Sequence, residues 1–167
     1  MIEKKQLIIP YEIIDREDLS HMETDLLTVA GIAREEAYAG ESNFKVGAAI
    51  LLLNGEIVKG WNMEDVVHSA LHAENNAIGR MDRMMREVGM AVIAVVGGPA
   101  GQISEDPVTP CGHCRQRLLE YKGAGNTPLV LSAGTRGKIL RMSLIDMLPF
   151  AFYPEVLSEK AGKTVKG

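Results

Sequence analysis

Two cysteines three positions apart are the residues of this sequence best suited to chemistry. Cys111 and Cys114 lie in the segment PCGHCRQ (110–116), and the chain has 2 cysteines in all. Thiols at i and i+3 near the start of a helix can reach one metal ion, and a thiolate there can also be a redox nucleophile. The pair therefore predicts either a metal site or a disulfide-exchange centre.

The position of the pair in the chain disfavours redox chemistry. A disulfide-exchange motif is expected to follow a strand in an early βαβ unit. Here Cys111 comes late in the chain, and the residue directly before it is Pro110 rather than a tryptophan. The loop 97–110 also contains Pro99 and Pro107. A metal site is therefore the favoured interpretation.

A histidine is the natural third ligand for such a site. A catalytic zinc site takes three protein ligands and keeps a fourth position for water. The 4 histidines of the chain are His21, His68, His72 and His113. His72 is followed by Glu74 at the predicted start of a helix, where an acid can approach an ion without binding it.

The segments HAE and PCGHC together match the H-x-E and P-C-x-x-C pattern of zinc-dependent deaminases. By this match His72, Cys111 and Cys114 bind one zinc ion per chain, and Glu74 is the catalytic general acid and base. The remaining histidines are not predicted ligands: His21, His68 and His113.

The hydrophobic pattern predicts the elements that must position these residues. Helices are expected over about 20–38, 72–88 and 111–121. Strands are expected over 46–53, 56–61, 90–96, 128–132 and about 139–142, the first two joined by an Asn-Gly turn. Strands and helices alternate in the second half of the chain, which predicts an α/β fold with helices on both faces of a sheet.

Length and charge limit the remaining possibilities. A chain of 167 residues predicts one domain over 1–167, with 1–18 as an N-terminal extension. The net charge of −4 and the scattered basic residues argue against a nucleic acid polymer as a partner. The first 18 residues are interrupted by Pro10 and fit neither a signal peptide nor a membrane span. We therefore expect a cytoplasmic protein that does not bind membranes.

Several motifs in order resemble the cytidine deaminase family. SNFKVGAAI (42–50) is similar to that family's first strand motif, and GWNME (60–64) to its ribose-binding loop. LPFAFYP (148–154) looks like its C-terminal signature. With the two zinc segments, the resemblance covers roughly residues 20–157, and ordered motifs are more specific than any one of them.

The resemblance implies a three-layer αβα fold with a mixed central sheet of about five strands. It also implies that Asn62 and Glu64 bind the ribose hydroxyls, that Phe44 packs on the base, and that the Ala73 backbone accepts from the amino group. Phe152 stands where family tetramers insert an aromatic side chain into a neighbour's site. A homotetramer is therefore favoured, and a dimer is the alternative because the histidine ligand is typical of longer dimeric relatives.

The implied reaction is hydrolytic deamination of cytidine or deoxycytidine to uridine or deoxyuridine and ammonia, a step of pyrimidine salvage. One alternative substrate is a modified cytosine nucleoside, such as an antibiotic of the blasticidin S type, although Glu64 argues against it. An alternative of another class is a non-catalytic module folded around zinc. Glu41 and His68 depart from the family, which commonly has tyrosines there, and His68 is close enough to the second helix to line a cleft.

Each predicted substrate contact also has a structural alternative. Phe44 precedes a buried strand and could pack in the core, and Asn62 and Glu64 could be polar turn residues. Phe152 could pack at the C-terminus of its own chain. Substrate contact is favoured for these residues because of the resemblance.

Overall fold

A six-stranded mixed sheet forms the centre of the protein, in a computed structural model that describes residues 1–67 and 69–153. The strands are β1 (Glu12–Ile14), β2 (Phe44–Leu52), β3 (Ile57–Trp61), β4 (Met90–Pro99), β5 (Leu129–Ala133) and β6 (Ile139–Ser143). Their order across the sheet is β1-β6-β5-β4-β2-β3. Strands β4 and β5 pair in parallel, and the other neighbours pair antiparallel.

Helices cover both faces of this sheet, as predicted. They are α1 (His21–Glu35), α2 (Ala73–Arg80), α3 (Arg83–Val88) and α4 (Gly112–Tyr121), and a short 3-10 turn spans Arg16–Asp18. Side chains alternate along β2, so Ala48 and Ile50 pack with α2 and α4, whereas Ala49 packs with α1. The two apolar cores on opposite faces give the three-layer αβα fold. Among the described residues, no helix is both long and apolar enough to cross a membrane.

The predicted single helix over 72–88 is wrong, because the chain breaks it after Arg80. Met81 is extended with ψ 125°, and the Asp82 carboxylate accepts a hydrogen bond of 2.8 Å from the Met85 amide. Aspartate favours such a cap over a helix interior because its side chain competes for backbone donors. The break keeps Met81 in the core and leaves Met84 exposed.

The N-terminal extension supplies a strand that the sequence did not predict. Residues Glu12 and Ile14 of β1 pair with Arg141 and Ile139 of β6, which makes the sheet one strand wider than expected. The Arg16 guanidinium then donates to the carbonyls of Gly134 (3.1 Å) and Gly137 (3.0 Å). A three-residue strand at a sheet edge is too short to show a period of two in the sequence.

The start of α1 is fixed to β6 through Glu23. The Glu23 carboxylate accepts from the Ser20 amide (2.9 Å) and hydroxyl (2.7 Å), and Ser20 in turn caps the helix. Arg141 on β6 donates to the same carboxylate at 2.9 Å. Burial raises the pKa of Glu23, but the hydrogen bonds from Ser20 and Arg141 together outweigh it, so the pKa lies below its usual value.

Glu23→Gln is expected to lower the free energy of unfolding by about 1–3 kcal/mol at pH 7, because it removes charged hydrogen bonds. A carboxyl with a lowered folded-state pKa stabilises the fold above its unfolded value of about 4.3. This contribution is lost as the pH falls through the folded-state pKa. Urea denaturation of wild type and variant at pH 7 and pH 3 should therefore show the difference shrinking in acid.

The exposed Glu17 provides a control for this comparison. Glu17→Gln should change the free energy of unfolding by less than about 0.5 kcal/mol at either pH. An equal loss for Glu23→Gln at both pH values would contradict the electrostatic account.

Helix α2 lies unusually close to strand β3 at Gly60. A Cβ at Gly60 would be 2.3 Å from the Ala77 nitrogen and 2.5 Å from the Ala73 oxygen. Only glycine allows this approach, because real side-chain carbons do not come so near to backbone atoms. The contact fixes the first turn of α2, and therefore His72 and Glu74, against the hairpin.

Gly60→Ala is expected to destabilise the protein by about 1–3 kcal/mol through overpacking against α2. Gly79→Ala is the matched control, since a Cβ there meets nothing within 4 Å. Because Gly79 lies inside α2, that change should instead stabilise by about 0.5–1 kcal/mol. Chemical denaturation measures both, and a harmless Gly60→Ala would contradict the close packing.

Candidate metal centre and active site

Two helix starts bring a histidine and two cysteines together. His72 is the residue before α2, Cys111 is the residue before α4, and Cys114 lies in the first turn of α4. The His72 Nδ1 atom is 3.4 Å from the Cys111 sulfur and 3.3 Å from the Cys114 sulfur. All three ligand atoms lie within 4.8 Å of one another.

These distances fit a tetrahedral zinc ion. Zinc bonds of about 2.1 Å to nitrogen and 2.3 Å to sulfur would separate the two donors by about 3.6 Å. The observed separations are slightly shorter. Among the described residues the group has three donors, which leaves one tetrahedral position for water, as in a catalytic zinc site.

The surroundings of Cys114 favour binding of a cation. Burial and the negative charge of Glu74 both raise the pKa of the Cys114 thiol strongly. A divalent ion reverses this preference, because a coordinating thiol is deprotonated outright. The N-termini of α2 and α4 add partial positive charge beside the same group.

The remaining histidines stand apart from this group or outside the described residues. The His113 ring is 6.4 Å from the His72 ring, centroid to centroid, and His113 is not part of the donor group. His21 is exposed at the start of α1 on the other side of the sheet. His68, predicted to be near a cleft, lies outside the described residues.

Glu74 lies beside the donor group without belonging to it. It is the second residue of α2 and is 4% exposed. Its carboxylate interacts with the Cys114 thiol and also lines the cleft described next. An acid in this position can exchange protons with a molecule in the cleft.

A cleft of about 250 Å³ opens next to the donor group. Its walls include most of the predicted site residues: Phe44, Asn62, Glu64, His72, Ala73, Glu74 and Cys111. Apolar side chains on other walls suit a flat ring, and they are Val46, Val95 and Val108. Ser42 and Thr109 add hydroxyl groups that the sequence analysis did not assign.

Phe152 is not brought to this cleft. Its side chain is 56% exposed, and its carbonyl accepts a hydrogen bond of 2.6 Å from the Gln116 side chain on α4. The position is compatible with contact to another molecule and does not test it. Its insertion into a neighbour's site stays a prediction.

Asn62 and Glu64 organise the segment that carries Phe44. The Asn62 side chain accepts from the Val46 amide (2.7 Å) and donates to the Phe44 carbonyl (2.9 Å). The Glu64 carboxylate accepts from the Glu41 and Ser42 amides at 2.9 and 3.1 Å. These hydrogen bonds tie the cleft-lining segment with Ser42, Phe44 and Val46 to Asn62 and Glu64, the two residues that the resemblance implies bind the ribose.

Arg115 is a residue that sequence reasoning missed. Its guanidinium donates to the Pro110 carbonyl (2.7 Å), the Thr109 hydroxyl (3.2 Å) and the Met147 carbonyl (2.9 Å). The loop that ends at Cys111 is thereby fixed to helix α4 and to the C-terminal segment. The sequence carries no local signal for this role, because the Met147 carbonyl comes near Arg115 only in the folded chain.

Most of the chain is similar to one family of known proteins. Residues 21–128 match the family model described as the cytidine and deoxycytidylate deaminase zinc-binding region. The chain belongs to this family. Cytidine deaminase of Sporosarcina psychrophila is 36% identical over 132 residues, which is 77% of this chain and 90% of that protein. Its counterpart in Halalkalibacterium halodurans is 33% identical over 134 residues, covering 76% and 91%.

Solved structures of the family agree with the fold. The cytidine deaminase of Burkholderia pseudomallei superposes with a TM-score of 0.63 and is 34% identical, covering 80% of this chain and 100% of that one. The predicted family and fold are confirmed. Family and donor set together identify the cofactor as one zinc ion per chain.

Cys114→Ser is expected to lose stoichiometric zinc, because two strong ligands cannot hold the ion as three do. Metal analysis of purified protein by mass spectrometry should fall from about one zinc per chain to below about 0.2. His113→Ala changes a neighbouring imidazole outside the donor group and should keep the metal. Full zinc in Cys114→Ser, or its loss in His113→Ala, would contradict the assigned ligands.

Proposed function

We propose that this protein catalyses the zinc-dependent hydrolytic deamination of cytidine or deoxycytidine, giving uridine or deoxyuridine and ammonia in pyrimidine salvage. One observation carries the proposal: the donor group of His72, Cys111 and Cys114 meets the buried Glu74 at the wall of a single cleft. The names of the relatives support cytosine nucleosides as substrates.

The proposed mechanism assigns proton transfer to Glu74. The chemistry supplied by bound zinc is Lewis acidity, which makes water a nucleophile at neutral pH. The Glu74 carboxylate takes a proton from the attacking water and gives it to ring nitrogen 3 of the cytosine. It then assists the departure of the amino group. One water is consumed, a carbon–nitrogen bond is replaced by a carbon–oxygen bond, and one ammonia is released.

Binding and orientation of the substrate are assigned to the other walls of the cleft. Phe44 packs on the base, and the Ala73 backbone accepts a hydrogen bond from its amino group. Asn62 and Glu64 bind the ribose hydroxyls. In this proposal Asn62 has two tasks, because its amide also holds the backbone on either side of Phe44.

Charge favours a nucleoside over a nucleotide. Apart from the metal ligands, the charged side chains lining the cleft among the described residues are the carboxylates of Glu64 and Glu74. A phosphate group would be repelled there and would find no lysine or arginine on the described walls. The family also includes deoxycytidylate deaminases, whose substrate carries a phosphate. The negative charge of the cleft favours the uncharged nucleoside over that nucleotide.

The proposed assembly and compartment follow from exposed apolar side chains and from the two cysteines. We propose one domain over 1–167 and a homotetramer in which Phe152 reaches a neighbouring site, with a dimer as the alternative. Exposed apolar side chains support association, since such groups are commonly covered: Met63, Val66, Val67, Phe150 and Phe152. Free thiols at the metal site support a reducing compartment such as the cytoplasm.

Glu74→Gln is expected to lower kcat by at least about a hundredfold, because the amide cannot accept the water proton. Zinc content and the melting temperature should stay close to wild type. Glu120→Gln, an exposed change on α4, is the control and should keep full activity. Ammonia release from cytidine measures the effect.

A substrate panel separates the proposed reaction from its alternatives. Ammonia released from cytidine and deoxycytidine, and much less from cytosine, deoxycytidylate or blasticidin S, supports the proposal. Activity on the antibiotic alone would contradict the substrate. A fully active Glu74→Gln would contradict the mechanism, and a zinc-loaded protein that deaminates none of these compounds would be a non-catalytic module.

A further inference from the structure

One serine hydroxyl joins the two parts of the cleft that face the base and the sugar. The Ser42 Oγ atom donates to Glu64 Oε1 at 2.5 Å and accepts from the Phe44 amide at 3.0 Å. Ser42, Phe44 and Glu64 all line the cleft. A displacement of either group is therefore transmitted to the other through a single side chain.

The protein itself uses most of the hydrogen-bonding capacity of Glu64. Oε2 accepts from the amides of Glu41 (2.9 Å) and Ser42 (3.1 Å), while Oε1 accepts from the Ser42 hydroxyl. A carboxylate has about four acceptor positions, so about one is left for a ligand. The Ser42 hydroxyl is the main cause that lowers the pKa of Glu64, followed by the Ser42 and Glu41 amides. Glu64 is consequently an oriented anion at neutral pH.

The backbone of Phe44 is held on both sides. Ser42 binds its amide, and the Asn62 side chain binds its carbonyl at 2.9 Å. The preceding residue, Asn43, has φ +56°, in the left-handed region, and its carbonyl accepts from the Ala100 amide at 2.8 Å. The direction in which the Phe44 ring leaves the backbone is therefore set by Ser42 and Asn62 together.

We propose that Ser42 is a specificity-determining residue, which restricts Glu64 to a single sugar hydroxyl and couples that contact to the position of Phe44. This inference rests on the proposed function, because it takes a nucleoside as the ligand of the cleft. Without the Ser42 hydroxyl, Oε1 regains an acceptor position, the carboxylate can rotate, and the Phe44 amide loses its partner. Discrimination among sugars should then fall.

The test combines three substrates with three proteins. Ammonia release from cytidine, 2′-deoxycytidine and 3′-deoxycytidine is measured for wild type, Ser42→Ala and Ser42→Thr. In wild type, removal of the hydroxyl held by Glu64 should lower kcat/KM by at least about tenfold, as expected for a hydrogen bond to a charged group. In Ser42→Ala, removal of the same hydroxyl should lower kcat/KM by less than about threefold. The KM of this variant for cytidine should be higher than that of wild type, and its kcat should change little. Ser42→Thr keeps the hydroxyl and should restore wild-type discrimination.

Ser143→Ala is the matched control. Its hydroxyl donates to the Asp146 carboxylate at 2.7 Å and accepts from the Asp146 amide at 3.1 Å, the same pair of contacts in a turn that does not line the cleft. This variant should keep both the activity and the discrimination of wild type. A merely structural loss in Ser42→Ala would lower the activity on all three substrates equally.

Two results would overturn the role of Ser42. One is a Ser42→Ala variant whose kcat/KM values for the three substrates stand in the same ratio as those of wild type. The other is a wild type with the same kcat/KM for cytidine, 2′-deoxycytidine and 3′-deoxycytidine. A wild type that releases no ammonia contradicts the proposed function instead. The role of Ser42 is then judged from calorimetric affinities of the three proteins for uridine, 2′-deoxyuridine and 3′-deoxyuridine. Loss of the hydroxyl held by Glu64 should weaken binding at least about tenfold in wild type and Ser42→Thr, and less than about threefold in Ser42→Ala.

Discussion

A buried thiol next to a buried carboxylate is the electrostatic constraint on which the site depends. Cys114 and Glu74 cannot both be anionic at low dielectric without a cation, and Cys111 would add another charge. A zinc ion held by His72, Cys111 and Cys114 would supply the positive charge that this buried group lacks. The ion would therefore offset the negative charge of the buried groups, and the chemistry it would supply is activation of a water for attack.

The rest of the fold keeps the two helix starts at the distance that this ion needs. Gly60 allows α2 to lie directly on the β-hairpin, so the His72 end of the helix cannot drift from the sheet. Arg115 fixes the loop before Cys111 to α4 and to the C-terminal segment. Gly60 restricts the half of the donor group that carries His72, and Arg115 restricts the half that carries the two cysteines.

The sequence predicts the metal group well because ligand chemistry and helix starts leave local signals. HAE and PCGHC state the residue types and the spacing, and turn residues and apolar runs delimit most strands. The break at Asp82 was not predicted, because the apolar residues keep their helical spacing across it. The signal is the Asp82 side chain, which caps the start of α3. Ser42 and Arg115 were missed for another reason: each bonds to at least one group distant in the sequence, the Glu64 carboxylate for Ser42 and the Met147 carbonyl for Arg115. Such pairs come close only in the folded chain, so no local pattern of residue types reveals them. The assigned roles of Phe44, Asn62, Glu64, Ala73 and Phe152 come from family resemblance and remain proposals.

The coordination shell of the metal tests the central claim most directly. X-ray absorption at the zinc edge of the purified protein should show two sulfur atoms at about 2.3 Å and two lighter atoms, nitrogen and oxygen, at about 2.0–2.1 Å. This shell corresponds to two cysteines, one histidine and one water. A shell of four protein donors, or one without sulfur, would contradict a site that uses two helix starts and keeps a position open for water.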